Sequence, residues 1–227
     1  MQAAVKIGLI ADIHGNRPAL EAVFRNAPRV DRWICMGDIV GYYPDVNEVC
    51  DMLIDMKVQT VRGNHDAYVL GKLAAPPEQT GLYRTEWTRD TLTHRHYQWL
   101  NELPLEIQFH VGAMQFRVRH ASPWDEETYL YPDSPYLSRI QLERDAYFVC
   151  GHTHRPMITI AGLGYVVNPG SVGQPRDYNP SAAYAVLNTE DGTIEHWRAA
   201  YDVASYQGYL SDLGWPDSSI SILSRSR

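Results

Sequence analysis

At 227 residues and a net charge of −7, the chain can form one large α/β domain or two small ones, and nothing in its middle looks like a linker. It lacks the basic excess that non-specific nucleic-acid binders use, so long nucleic acids are disfavoured partners, although bound cations can supply a positive field locally. The composition, 44% hydrophobic and 21% charged, is that of an ordinary globular domain, and no apolar run approaches a membrane span.

Residues 5–11 form an apolar run that reads as a buried strand, and Asp12-Ile13-His14-Gly15-Asn16 follows at once. Pro18 marks the first turn of a helix that places Leu20, Val23, Phe24 and Ala27 on one face. A second buried strand over 33–36 runs into Gly37-Asp38. A turn over 41–45 then leads to a helix with Val46, Val49, Met52, Leu53 and Met56 as its apolar positions. The third strand, 58–61, ends at Arg62-Gly63-Asn64-His65-Asp66, where Asp66 suits the cap of a helix through Ala67 and Leu70. Strands alternating with helices predict βαβ units and a mainly parallel sheet.

Residues 76–103 read as a helical excursion, either a lid or helices whose aromatic residues pack on the core. Strands follow at 105–110 and 115–119, joined around Gly112, with His120 just beyond. A helix is predicted over 135–144 and a strand over 146–150, which leads into Gly151-His152-Thr153-His154. Strands at 157–160, 165–167, 183–187 and 193–199 are assigned to a second sheet, with Asp191-Gly192 as the turn of a hairpin. The expected organisation is one domain over 1–215 and a flexible tail over 216–227. Cys35, Cys50 and Cys150 have no metal-like spacing. With no signal-peptide pattern, they predict buried free thiols and a cytoplasmic protein.

Five strands thus end in residues able to hold a metal: Asp12 with His14, Asp38, Asn64, His120, and His152 with His154. In open α/β sheets, ligands gather beyond the carboxyl ends of the strands, so seven side chains scattered over the chain are predicted to meet at one edge. An amide oxygen beside an imidazole, at Asn64-His65, makes sense at a metal-dependent hydrolytic centre. Histidine and oxygen ligands without thiolate favour Mn, Fe, Co, Ni or Zn over Ca.

The ordered set Asp12-x-His14, Gly37-Asp38, Gly63-Asn64-His65-Asp66, His120 and Gly151-His152-x-His154 resembles the calcineurin-like metallophosphoesterase superfamily. Asp12-Ile13-His14-Gly15-Asn16, Gly37-Asp38-Ile39-Val40-Gly41-Tyr42 and residues 168–176 look most like its small prokaryotic phosphodiesterases. The resemblance implies an α/β fold, a four-layer α-β-β-α sandwich with mixed sheets. It also implies two divalent or trivalent transition-metal ions, manganese among the candidates. One would be held by Asp12, His14, Asp38 and His154, the other by Asp38, Asn64, His120 and His152. Asp38, shared, would make the pair competent to orient a bridging hydroxide for in-line attack on phosphorus. His65 becomes the candidate proton donor or transition-state stabiliser.

The sequence departs from the Ser/Thr phosphatase branch, whose Asp-Arg pair is Gly41-Tyr42 here. His65 therefore needs another carboxylate partner, Asp45 or Asp66. Ala121, where the family often has Gly, is a tolerable change. Arg176, Asn64 and Tyr42 are the candidate substrate-binding residues, although Arg176 could equally pair with Asp177 or another carboxylate. Arg62 could pair with a nearby acid, and Asn168 and Ser171 suit a turn near the site. The implied function is a phosphodiesterase on a small phosphoester, with a homo-oligomer allowed. Its alternatives are a phosphomonoesterase or nucleotidase, or a metal-binding scaffold without catalysis.

Overall fold

The structure, a computed structural model, describes residues 5–225. Its strands are β1 (Lys6–Ile10), β2 (Arg32–Cys35), β3 (Gln59–Thr60), β4 (Ile107–Val111), β5 (Met114–Val118), β6 (Ala146–Val149), β7 (Pro156–Ala161), β8 (Gly164–Pro169), β9 (Ala182–Asn188) and β10 (Ile194–Ala199). The helices are α1 (Arg17–Asn26), α2 (Val46–Asp55), α3 (Asn64–Val69), α4 (Thr80–Tyr83), α5 (Thr85–Thr91), α6 (His94–Glu102), α7 (Val203–Asp212) and α8 (Asp217–Ile222). Among the described residues, none of these helices is long and apolar enough to cross a membrane.

Two mixed five-stranded sheets face each other, ordered β10-β9-β1-β2-β3 and β4-β5-β6-β8-β7. In the first, β1, β2 and β3 are parallel and β9 joins β1 antiparallel; in the second, β5, β6 and β8 are parallel. Ile7, Leu9, Ile34 and Met36 from the first sheet meet Phe116, Val118, Tyr147 and Val149 from the second in a buried interlayer. Alternate side chains of the first sheet point outward onto Leu20, Val23, Val46, Val49 and Leu53 of α1 and α2. These helices form where the apolar stripe predicts. Asn16 caps α1 by accepting from Ala19 N at 3.2 Å, and Pro18 sits in its first turn. Residues 121–145 cover the outer face of the second sheet around Leu130, Ile140, Phe148 and Val166. The result is a layered α/β sandwich of two mixed sheets with flanking helices, its outer layer on the second sheet an irregular segment with one 3₁₀ turn, and its parallel strands deliver their carboxyl ends to one edge.

Three local expectations change. The hairpin β9–β10 belongs to the first sheet, because the nearly continuous buried run of β9 inserts beside β1, Ile7 opposite Leu187 and Leu9 opposite Ala185. The helix expected over 135–144 is a 3₁₀ turn, Pro135–Arg139. The tail expected to be flexible instead forms α8, with Ser219 and Leu223 buried; residues 226–227 of that expectation lie outside the described residues. Leu223 packs with Tyr42, Tyr43, Tyr206, Leu210 and Trp215, an apolar cluster that offsets the entropy of ordering the terminus.

Candidate metal centre

All seven candidate ligands sit just past strand ends and all are buried. The backbone there is unusual. Asp12, His14, Asp38, His152 and His154 all have positive φ, between 53° and 68°. Such left-handed residues cost about 1–2 kcal/mol each, although Asp and His tolerate the region better than most side chains do. Their clustering is the concentration of strain expected at a functional site.

Surrounding bonds hold these turns in place. The loop after β1 donates from Asp12 N to Gly37 O at 3.0 Å and from Ile13 N to Asp38 O at 2.8 Å. Asp66 accepts four backbone N–H bonds, from Gly63, Asp38, Ile39 and Val40, at 2.9–3.1 Å. Asp66 is thus the third residue of α3, bonding back to the N-cap Gly63 rather than serving as the expected N-cap itself, and it also fixes the neighbouring Asp38 turn. Gly63 is required by close approach, since a Cβ there would fall on the Asp38 carboxylate.

The ligand atoms form two groups, Asp12, His14, Asp38 and His154 in one and Asp38, His120 and His152 in the other, with Asp38 common to both. In the first, His14 Nε2 is 3.1 Å from His154 Nε2 and 3.7 Å from Asp38 Oδ2, and His154 Nε2 is 3.8 Å from Asp12 Oδ1. In the second, His120 Nε2 is 3.3 Å from Asp38 Oδ2, 2.8 Å from Asn64 Oδ1 and 3.2 Å from His152 Nδ1. Donor atoms about 2.0–2.2 Å from one ion stand roughly 3–3.6 Å from each other, and the separations here, 2.8–3.8 Å, bracket that range, so small side-chain shifts would let each group close on a transition-metal cation.

A second observation supports the fit. Each of the four imidazoles has its other nitrogen on a backbone carbonyl. His14 Nδ1 is 3.3 Å from Val40 O, His120 Nδ1 2.7 Å from Met36 O, His154 Nδ1 2.7 Å from Gln174 O, and His152 Nε2 3.0 Å from Glu127 O. Such bonds select the tautomer that leaves a lone pair facing the centre, the usual outer support of metal-binding histidines.

The electrostatics point the same way. Burial pushes His14 down to about 4 and His152 to about 3, and holds His154 well below the usual imidazole range, so these three rings are neutral donors at neutral pH. Burial also raises the Asp12 carboxyl to about 7. At the shared position burial opposes charge on both partners, but mutual attraction wins. Asp38 is held well below the carboxylate range by His120, His65 and His14, and His120 is raised to about 9 by Asp38. Two carboxylates and a protonated imidazole packed out of water are a poor arrangement for folding alone and a sensible one for a cation.

His65 stands beside this cluster, its ring centroid 4.8 Å from that of His14. Neither expected partner reaches it. Asp66 is occupied by backbone donors, and Asp45 accepts from the hydroxyls of Tyr206 and Tyr209. Among the described residues, an aromatic box replaces the carboxylate, with Tyr83 at 4.3 Å, Tyr42 at 5.0 Å and Tyr68 at 5.5 Å. Burial keeps this ring well below the usual imidazole range.

Arg176 is likewise clear of its expected acid, because Asp177 pairs with Arg198. The Arg176 guanidinium is bonded to Gln174 Oε1 at 3.1 Å, to the Tyr42 hydroxyl at 3.4 Å and to Tyr129. It makes no ion pair among the described residues. Arg62 pairs with Glu126 at 3.5 Å. Asn168 and Ser171 brace the turns, Asn168 Nδ2 donating to Gly151 O and Ser171 Oγ to Asp12 O. Sequence reasoning missed Tyr129, whose ring stacks 3.9 Å from that of the candidate ligand His152. Its one signal is the Tyr129-Leu130-Tyr131 aromatic pair in a loop.

Comparison with known proteins agrees with this geometry. Residues 5–192 match the family model described as the calcineurin-like phosphoesterase superfamily domain. An uncharacterised protein of Methanocaldococcus jannaschii is 33% identical over 217 residues, covering 87% of this chain and 88% of its own. The phosphodiesterase YfcE of Escherichia coli is 28% identical over 82% of this chain and 89% of its own. The crystal structure of a metallophosphoesterase from Sphaerobacter thermophilus superposes with a TM-score of 0.81 at 28% identity, covering 98% of this chain and 99% of that one. The chain therefore belongs to the calcineurin-like phosphoesterase superfamily and is a metal-dependent phosphoester hydrolase.

Proposed function

We propose that the chain is a phosphodiesterase acting on a small phosphodiester at a dinuclear centre. The observation that carries this reading is the pair of buried ligand groups sharing Asp38, with His65 beside them and an Arg176 that makes no ion pair among the described residues. Asp12, His14, Asp38 and His154 would hold one cation; Asp38, Asn64, His120 and His152 the other. Mn, Fe, Co, Ni or Zn bound there would supply Lewis acidity, lowering the pKa of water and offsetting charge on the phosphoryl oxygens.

The chain's own residues do the rest. Arg176 presents a planar fork of donors to a non-bridging phosphoryl oxygen, preoriented by Tyr42, Gln174 and Tyr129. Asn64, whose Oδ1 lies 2.8 Å from His120 Nε2, would offer its Nδ2 to the same oxygens. His65 meets the leaving oxygen with a ring N–H, and the rings of Tyr42, Tyr68 and Tyr83 keep water away from it. One cationic side chain among neutral tyrosines suits the single negative charge of a diester better than the double charge of a monoester. Three buried free thiols, Cys35, Cys50 and Cys150, suit a cytoplasmic location, which cell fractionation placing the protein elsewhere would contradict.

The test is turnover after chelation and reconstitution with each metal in turn. Bis-p-nitrophenyl phosphate should be hydrolysed only with metal and faster than p-nitrophenyl phosphate. A faster monoester would reassign the protein as a phosphomonoesterase. Absence of metal-dependent turnover of either would support a scaffold.

A further inference from the structure

The C-terminal helices α7 and α8 lie beyond the family match, which ends at residue 192, and yet they touch the wall of the metal centre. Gly214, at φ 71°, ends α7 in a left-handed turn, and Trp215 N closes that turn on Leu210 O at 2.9 Å. This swings the Trp215 indole inward, where it is 6% exposed and its Nε1–H donates to Tyr42 O at 2.6 Å. Tyr42 is itself in the left-handed region at φ 62°, and its N–H donates to Tyr83 O at 3.0 Å. The Tyr42 ring then packs on His14 at 4.8 Å and His65 at 5.0 Å, and its hydroxyl accepts from Arg176.

Trp215 holds the α4–α5 junction as well. Arg84, the residue after Tyr83, is left-handed at φ 56°, and its buried Nε has no hydrogen-bond partner among the described residues. Its guanidinium lies over the Trp215 ring, 4.3 Å from the centroid, while Trp87 meets the same indole edge-on at 4.8 Å. Stacking on Trp215 thus offsets a strained backbone and an unpaired donor. One indole fixes two consecutive walls, Tyr42 through its carbonyl and Tyr83 through the adjoining arginine.

We propose that Trp215 is a positioning residue for the phosphoesterase site: by holding the strained Tyr42 peptide and the Arg84 guanidinium, it keeps Tyr42 and Tyr83 packed around His65. For its kinetic arm the proposal rests on the phosphodiesterase reading above. A merely structural Trp215 would add stability without setting the geometry of folded molecules.

Trp215→Phe keeps an aromatic ring under Arg84 and removes the N–H donor. Measured on metal-loaded, folded protein with bis-p-nitrophenyl phosphate, its kcat should fall about tenfold, the order expected when a reacting group is misplaced by a fraction of an ångström. KM should change less and metal content should stay at the parent value, while Ser221→Ala on the outer face of α8 serves as control. In parallel, hydrogen exchange over residues 39–46 and 80–92 should quicken by about tenfold, with α1 unaffected. Should Trp215→Phe fail to fold, Arg84→Leu, which leaves the indole bond intact, should show the same two changes at lower amplitude. Parent-like kcat and exchange, or a kcat loss matched by lost metal or unfolded protein, would overturn the proposal. A parent enzyme without diester turnover would sink the functional reading instead, and the exchange result alone would then decide the role of Trp215.

Discussion

His65 shows how a side chain can be placed without the Asp-Arg pair of the Ser/Thr phosphatase branch. With Gly41 and Tyr42 in place of an Asp-Arg pair, neither Asp45 nor Asp66 reaches its ring among the described residues; edge and face contacts from Tyr42, Tyr68 and Tyr83 hold it. His65→Ala should lower kcat by about 10²- to 10⁴-fold, the usual contribution of a positioned acid or base, with both metals retained. Steady-state kinetics with metal analysis on one sample checks this, and a loss of metal with unchanged turnover per remaining site would assign His65 to binding instead. The candidate ligands themselves were legible as polar residues just past apolar runs, with His14, Asp38, Asn64 and His152 each directly beside a glycine. The partner of His65 and the freedom of Arg176 were not. Which acid an arginine meets depends on neighbours remote in sequence, such as Arg198, which takes Asp177. The left-handed backbone at Asp12 and His154 has no signature in sequence either, since only glycine advertises it.

At the scale of elements, the strands of the parallel core were read within a residue or two, because continuous burial leaves continuous apolar runs. Pairing was harder. The hairpin β9–β10 was visible as a hairpin, but its neighbour β1 is about 180 residues away in sequence, as in the Leu9–Ala185 register. Helix α7 went unseen for a different reason. Only Tyr206 and Leu210 are buried along it, too few to make a periodic stripe, and much of its attachment is through the hydroxyl bonds of Tyr206 and Tyr209 to Asp45. If α7 is a docked element, Leu210→Ala, at a fully buried site, should cost about 2–5 kcal/mol in chemical denaturation. A change below about 0.5 kcal/mol, the size typical of surface substitutions, would mean the helix is not anchored there.

For the whole molecule, the two sheets matter because neither alone carries a complete site. The first sheet supplies Asp12, His14, Asp38 and Asn64, and the second supplies His120, His152 and His154. Bringing them together buries charge, which gives metal uptake a pH dependence. Asp12, raised to about 7, and His120, raised to about 9, both hold protons that a cation must displace. In the metal-free protein their contribution to stability is present below their ordinary values of 3.8 and 6.5 and is lost as pH rises through 7 and 9. Asp38 works the opposite way: its value is depressed, so its contribution is present above 3.8 and is lost on acidification. Metal affinity should therefore rise between about pH 6 and 8, with about one to two protons released on full loading at pH 7. Calorimetry in buffers of different ionisation enthalpy counts those protons, and a count of zero would contradict the assignment.

The proposed centre holds two cations that share Asp38. Anomalous diffraction from crystals of metal-loaded protein, recorded on either side of the metal's absorption edge, tests that claim most directly. Two peaks are predicted, one within the Asp12, His14 and His154 group and one within the Asn64, His120 and His152 group, with the Asp38 carboxylate touching both. A single peak, or a pair that leaves Asp38 without a bond to one of them, would contradict it.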